Sequence, residues 1–144
     1  MTTVLVTGFG PFPGVADNPT ARLAAAVHGR SVGSVRFVGE VLPVSYRRAP
    51  EQTRALIDAH KADFVVGTGV SRAGVARVER TARCVSESTV DVDGQTRTLL
   101  EGPAQRQAAW SPAVAGALGL PVSDDAGSYV CNAWLYRLLG TSTG

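Results

Sequence analysis

The first half of the chain alternates short apolar runs, rich in β-branched residues, with segments that carry helix start signals. The first run, from Thr3 to Thr7, is stopped by Gly8 and predicts a buried strand. Asn18 followed by Pro19 predicts a helix start, because Asn caps free amide groups and Pro at the first helical position loses no available hydrogen bond. Since parallel strands are joined by such crossovers, the alternation predicts an α/β fold with a largely parallel sheet.

The remaining elements follow from the same signals. The first helix should end near His28, with Gly29 as its stop. Residues 75–100 are polar and β-branched around an Asp93-Gly94 turn, which favours an irregular strand or hairpin region. Ser111-Pro112 is expected to cap a short helix. The other predicted elements are strands at 35–44 and 63–67 and helices at 50–60, 111–119 and 129–139.

Length and charge limit the function classes. At 144 residues and 44% hydrophobic, the chain predicts a single domain spanning 1–144. Its net charge of +2 comes from scattered basic residues, so a nucleic-acid footprint is not expected. The amino terminus does not resemble a secretion signal and no apolar run reaches the ~18 residues that span a bilayer, so a cytoplasmic protein without a membrane partner is predicted.

The two cysteines, Cys84 and Cys131, lie far apart in the sequence and are expected to be separate thiols. Cys131 follows Ser128, a candidate N-cap, by three residues and so falls in the first turn of a helix. The unpaired amides there favour thiolate and predict a lowered pKa. The competing interpretation is a small buried hydrophobic residue.

The loop from Gly8 to Gly14 also leaves two interpretations open. Its glycines suggest a phosphate cradle, but Pro11 and Pro13 remove amides that a phosphate would need. Phe9 and Phe12 instead offer flat apolar surfaces at the carboxyl end of a strand, where α/β proteins commonly bind ligands. Packing within the loop is the alternative role for both rings.

Among the ionisable residues, Glu79 lies between Arg77 and Arg80, a pattern that fits either a solvated charged face or an acidic site residue. His28 and His60 fall near the carboxyl ends of predicted helices. A partial positive charge is favourable there, so helix capping is expected for both histidines.

Together these fragments resemble the pyroglutamyl-peptidase I family of cysteine peptidases. The similarity covers essentially the whole chain in the family's order. The segments that carry it are Thr7 to Phe12 (T-G-F-G-P-F), Asn18 to Thr20 (N-P-T), Val41 to Val44 (V-L-P-V), Gly69 to Ser71 (G-V-S), Val78 to Arg80 (V-E-R) and Asp125 to Asn132 (D-A-G-S-Y-V-C-N).

The resemblance implies a Cys-His-Glu omega peptidase that removes N-terminal pyroglutamyl residues from peptides through an acyl-enzyme. It implies a three-layer α/β/α sandwich, a homodimer or homotetramer, and no metal or cofactor. Cys131 matches the family nucleophile and Glu79 its acidic partner. The positions that match the pocket for the lactam ring are Phe9, Phe12, Asn18 and Val130.

The chain also departs from the family pattern. The family's catalytic histidine follows the nucleophile helix, whereas this sequence stops at Gly144, so we expect a domain that is incomplete at its carboxyl end and has little activity as it stands. Cys84 and Thr89 occupy positions where the family usually has asparagine and often arginine. The alternative function is a catalytically silent relative that binds pyroglutamyl peptides or serves as an oligomer partner.

Overall fold

The computed structural model describes residues 1–71, 74–85, 89–96 and 100–141. The chain forms two compact units, residues 1–70 and 71–144, which are described in turn. The sequence-based expectation of one domain stays a prediction.

The amino-terminal unit is a four-stranded sheet with two helices. Strands β1, β3 and β4 are parallel, and the short β2 pairs antiparallel with β3 in the order β2-β3-β1-β4. The predicted largely parallel sheet is therefore confirmed, although β2 was not predicted. The elements are β1 (Thr2–Phe9), α1 (Pro19–Val27), β2 (Ser31–Val32), β3 (Val35–Leu42), α2 (Arg48–His60) and β4 (Phe64–Gly67).

This strand order explains how both faces of the sheet are covered. The chain moves from β1 to β3 through α1, then returns past β1 to β4 through α2. Because such crossovers are right-handed, the reversal of direction places the two helices on opposite faces. Leu5 and Val6, which point to opposite faces of β1, are accordingly both buried.

Helix α1 begins and ends as the sequence predicts. The Asn18 side chain accepts a hydrogen bond from the Thr20 amide, and Pro19 opens the helix. A Cβ added to Gly8 or Gly39 would lie 2.0 Å or less from a backbone oxygen of α1. Glycine at these two positions lets the helix backbone lie directly on the sheet.

The carboxyl-terminal unit consists of two short strand pairs and two helices. Strands β5 and β8 are parallel, whereas β6 and β7 are antiparallel. The elements are β5 (Val78–Glu79), β6 (Thr81–Arg83), β7 (Gln105–Gln107), α3 (Ser111–Leu118), β8 (Val122–Ser123) and α4 (Val130–Thr141).

Most sequence-based assignments in this unit are confirmed with small shifts. Asp93-Gly94 does form a turn, with the Gly94 amide donating to the Asp91 carbonyl. Ser111 is not the N-cap of α3, because Trp110 occupies that position and the Ser111 hydroxyl instead donates to the Glu79 carbonyl at 2.7 Å. None of the helices in the described parts of the chain is both long and apolar enough to cross a bilayer.

Candidate active site

The proposed acid and nucleophile emerge from two neighbouring parallel strands. Glu79 ends β5 and pairs with Ser123, which ends β8. The turn that follows β8 leads directly into α4, where Cys131 is the second residue. Because the carboxyl ends of parallel strands meet at one edge, this connection brings the two side chains together. The charge of Glu79 is in fact one of the causes that raise the pKa of the Cys131 thiol.

The ionisation of Cys131 differs from the sequence-based expectation. Its placement in the first turn of a helix is confirmed, and both cysteines are free thiols that keep some solvent access. The prediction of a lowered pKa is wrong. Burial raises the pKa of Cys131 to about 11, a hydrogen bond from its own backbone lowers it in part, and the charge of Glu79 raises it further. Desolvation therefore outweighs the helix terminus, and the thiol is neutral near pH 7.

Glu79 presents its two carboxylate oxygens differently. Oε1 accepts a hydrogen bond from Arg77 Nε at 2.6 Å, and both side chains are about a quarter exposed. Oε2 is buried and has no hydrogen-bond partner among the residues that the structure describes. Burying a carboxylate oxygen without a hydrogen-bond partner costs free energy. Oε2 is therefore available to accept a hydrogen bond from another group.

The turn before α4 is tied to the segment that carries Glu79. Arg80 forms a two-bond ion pair with Asp124, at 2.9 and 2.7 Å, and Thr81 donates to the same carboxylate. The hydrogen bond from Arg80, followed by that from Thr81, lowers the pKa of Asp124 to about 2. Arg83 pairs with Asp125 at 3.2 Å, so two arginines hold two successive acidic residues of the turn.

Asn132, adjacent to the nucleophile, fixes α4 against β6. Its Oδ1 accepts from the Arg83 amide at 2.8 Å, and its Nδ2 donates to the Arg83 and Val85 carbonyls at 2.9 and 3.0 Å. The side chain is fully buried. These three bonds set the position of the helix turn that carries Cys131.

Replacing Asn132 with alanine should therefore destabilise the protein by about 2–4 kcal/mol, because the Arg83 amide and the Arg83 and Val85 carbonyls lose these partners. Urea unfolding followed by circular dichroism measures the change. Gln52→Ala, which removes an exposed amide from α2, is the matched control and should change stability by less than about 0.5 kcal/mol. A loss no larger for Asn132→Ala than for the control would contradict this role.

Three of the predicted pocket residues lie in the amino-terminal unit. Phe9 is the last residue of β1, rather than part of the following loop, and is buried. Phe12 forms an isolated bridge with Val15. Asn18 caps α1 and also donates its side-chain amide to the Gly10 carbonyl at 3.0 Å. The fourth, Val130, is buried next to Cys131 in the other unit, and contact of all four with a substrate stays a prediction.

Three amides at and after the end of β1 are already paired and so are not open to a phosphate. The amide of Phe9 donates to the Thr20 hydroxyl at 2.9 Å. The amides of Gly10 and Phe12 donate to the Leu42 and Val15 carbonyls. Because a phosphate cradle needs such amides unpaired, the nucleotide-binding alternative has no support here.

The two histidines lie at helix ends, and Cys84 forms a hydrogen bond within the fold. His28 follows the last residue of α1 and accepts a hydrogen bond from the Gly39 amide, while His60 is the last residue of α2, as predicted for both. Cys84 donates its thiol to the Leu100 carbonyl at 3.3 Å. Thr89 is exposed. No group of His, Cys, Asp and Glu side chains that could hold a metal ion occurs within the described ranges.

Comparison with known proteins identifies the family to which this chain belongs. The family model described as pyroglutamyl peptidase matches residues 2–143. The chain belongs to the pyroglutamyl peptidase family. It is 33% identical to the pyrrolidone-carboxylate peptidase of Erwinia tasmaniensis, over 96% of this chain and 71% of that protein. It is 28% identical to the pyrrolidone-carboxylate peptidase of Bacillus thuringiensis strain Al Hakam, over 96% and 70%.

The same likeness extends to solved structures. The pyrrolidone carboxyl peptidase of Thermococcus litoralis superposes with a TM-score of 0.87 at 29% identity, covering 97% of this chain and 69% of that one. A mutant pyrrolidone carboxyl peptidase from P. furiosus gives a TM-score of 0.84 at 28% identity, covering 99% and 74%. The predicted α/β fold class and the family resemblance are thereby confirmed.

Sequence reasoning missed several residues that organise the family site in this chain. Asn132 lies inside the D-A-G-S-Y-V-C-N segment, and its position beside the nucleophile was the available signal. Arg77 and Arg80 were noted only as flanking charges. Asp124 gave no signal, because its pairing with Arg80 joins segments 44 positions apart.

Proposed function

We propose that this protein hydrolyses the bond that follows an N-terminal pyroglutamyl residue, with Cys131 as nucleophile and Glu79 as the acid that orients a histidine base. The observation that carries the proposal is a largely desolvated thiol at the start of α4 that feels the charge of a carboxylate with one buried oxygen left open. Membership of the pyroglutamyl peptidase family favours a peptidase over a silent binding protein.

The raised pKa of the thiol makes a general base necessary. With a pKa of about 11, only about one thiol in 10⁴ is ionised at pH 7. An imidazole held by Glu79 Oε2 would take the Sγ proton as sulfur attacks the substrate carbonyl. His28 and His60 lie at helix ends, so we assign the base to the histidine that follows the nucleophile helix in the family resemblance.

The subsequent steps use the start of α4. The carbonyl oxygen gains negative charge in the tetrahedral intermediate, and backbone amides of the first helical turn can stabilise it. The imidazolium then protonates the departing amine, leaving a pyroglutamyl thioester on Cys131. Water, deprotonated by the same imidazole, hydrolyses this acyl-enzyme and regenerates the thiol.

From the family resemblance we assign contact with the lactam ring to each of Phe9, Phe12, Asn18 and Val130. Pyroglutamate has a flat, compact lactam and no charged α-amine, so aromatic and aliphatic surfaces can bind it without burying an unpaired charge. The network of Asn18 with Gly10 and Thr20 supports this assignment, because it fixes the loop that carries Phe12. A cytoplasmic homodimer or homotetramer is part of the proposal and rests on the family resemblance alone.

Substrate selectivity tests the proposal. A version of the protein that carries the family's histidine-bearing segment should release aminomethylcoumarin from a pyroglutamyl conjugate at least about 100-fold faster than from a prolyl conjugate. The prolyl ring carries a charged amine and lacks the lactam oxygen, so an apolar pocket should reject it. Initial rates by fluorescence provide the comparison. Equal rates on the two conjugates, or cleavage of the prolyl one alone, would contradict the pyroglutamyl assignment.

A further inference from the structure

Arg77 connects the acid to the turn that precedes the nucleophile helix. Its Nε donates to Glu79 Oε1 at 2.6 Å, and its NH2 group donates to the Asp125 carbonyl at 2.9 Å. The side chain of Arg77 is 27% exposed and that of Glu79 is 25% exposed. One largely buried guanidinium thus contacts both the acid and the turn that leads to the nucleophile.

We propose that Arg77 is a positioning residue for the peptidase reaction, acting through Glu79. It occupies Oε1 and thereby directs the open Oε2 toward the general base, while its second contact fixes the acid relative to the turn before α4. This inference rests on the proposed function, because it assigns Glu79 the role of orienting the base.

The chemistry of arginine suits this role. A guanidinium is planar and donates hydrogen bonds in several fixed directions, so one group can bind a carboxylate and a carbonyl at once. The bond to a carboxylate is charge-assisted and roughly twice as strong as a neutral one. Because both side chains are about three-quarters covered, water competes less for the pair than at an exposed site.

Arg83 provides a matched comparison. It also binds the turn, through Asp125 Oδ1 at 3.2 Å and the Gly127 carbonyl at 3.4 Å, and it is more exposed than Arg77. Its described hydrogen bonds go to the turn and to Asn132, and none of them reaches Glu79. Loss of Arg83 therefore removes support for the turn while leaving the acid paired.

The kinetic test uses Arg77→Met, Arg77→Lys and Arg83→Met in the version of the protein that carries the histidine-bearing segment. Arg77→Met should lower kcat for the pyroglutamyl conjugate by roughly 10- to 100-fold and change KM by less than about threefold, because the lost contact orients the base rather than the substrate. Arg77→Lys should recover part of the loss. Arg83→Met should cost less than Arg77→Met. Equal losses in the two methionine variants would show general support of the turn and overturn the proposal.

Combination with Glu79→Gln tests whether Arg77 acts through the acid. In the Glu79→Gln background, Arg77→Met should change kcat by less than about twofold. Full additivity of the two losses would overturn the proposal. Melting temperatures of all variants show whether each is folded, and Arg77→Lys, which keeps the charge, carries the comparison if Arg77→Met fails to fold.

Alkylation of Cys131 by iodoacetamide separates this inference from the proposed function, since it needs no turnover. Arg77→Met should slow alkylation at pH 8 by roughly two- to fivefold, because the Glu79 charge that opposes thiolate loses its partner. The effect should vanish in Glu79→Gln. Absence of peptidase activity in the parent protein would remove the proposed function, whereas an unchanged alkylation rate in Arg77→Met would remove the link between Arg77 and Glu79.

Discussion

Cys131→Ala is expected to lower kcat/KM for a pyroglutamyl conjugate by at least about 10⁴-fold. Removing the sulfur eliminates the acyl-enzyme, and loss of a nucleophile costs about as much as loss of the whole catalytic group. The substitution should leave the fold intact, because alanine fits the helix and Cys131 keeps some solvent access in the parent. Fluorescence assays on protein of verified melting temperature give the comparison.

Cys84→Ala is the control that this chain offers for the same experiment. Cys84 is the other free thiol, and its sulfur donates a weak hydrogen bond to the Leu100 carbonyl. Its removal should change kcat/KM by less than about threefold. If Cys131→Ala kept full activity, or if Cys84→Ala abolished it, Cys131 would lose its assigned place in the mechanism.

The elements that the sequence predicted best depend on local chemistry. Asn18 and Pro19 define a helix start through contacts within a few residues, and the structure places the cap there. The alternation of strands and helices likewise determines a parallel sheet, because chain connectivity leaves few other arrangements. The short β2 was missed, since a two-residue strand carries no periodic pattern.

The thiol shows where local reasoning fails. Position in the first turn of α4 was predictable, and so was the direction in which free amides shift a thiol pKa. Burial is a tertiary property, however, and it exceeds the effect of the helix terminus at Cys131. A sequence does not reveal how many atoms surround a sulfur.

The partners of Glu79 and of its flanking arginines are likewise determined by tertiary contacts. The catalytic role of Glu79 was predicted from the family resemblance, because its flanking arginines fitted a solvated charged surface equally well. The structure shows that Arg77 pairs with Glu79 itself, whereas Arg80 pairs with Asp124. Two similar charges in one segment thus have different partners, and only the long-range parallel pairing of β5 with β8 distinguishes them.

Alkylation of Cys131 in the chain described here is expected to accelerate about tenfold per pH unit from pH 7 up to about 11. Iodoacetamide reacts with thiolate, whose fraction grows tenfold per unit below the pKa, and the pKa of this thiol is raised to about 11 by burial and by Glu79. Mass spectrometry of the Cys131 peptide at timed intervals measures the rate. The Cys84→Ala background leaves a single thiol to follow.

Glu79→Gln decides whether the acid contributes as proposed, because its two effects have opposite signs. Removing the negative charge lowers the pKa of Cys131, so alkylation at pH 8 should become faster. The same substitution should slow pyroglutamyl hydrolysis by roughly 10²-fold or more, since the base loses the group that orients it. A rate of alkylation that already levels off by pH 8 would show that the thiol is ionised by its helix terminus after all. A rate that falls in Glu79→Gln would show that the Glu79 charge does not raise the pKa of the thiol. A neutral thiol, in contrast, makes the nucleophile depend on the base, and the base on the oxygen that Glu79 leaves open.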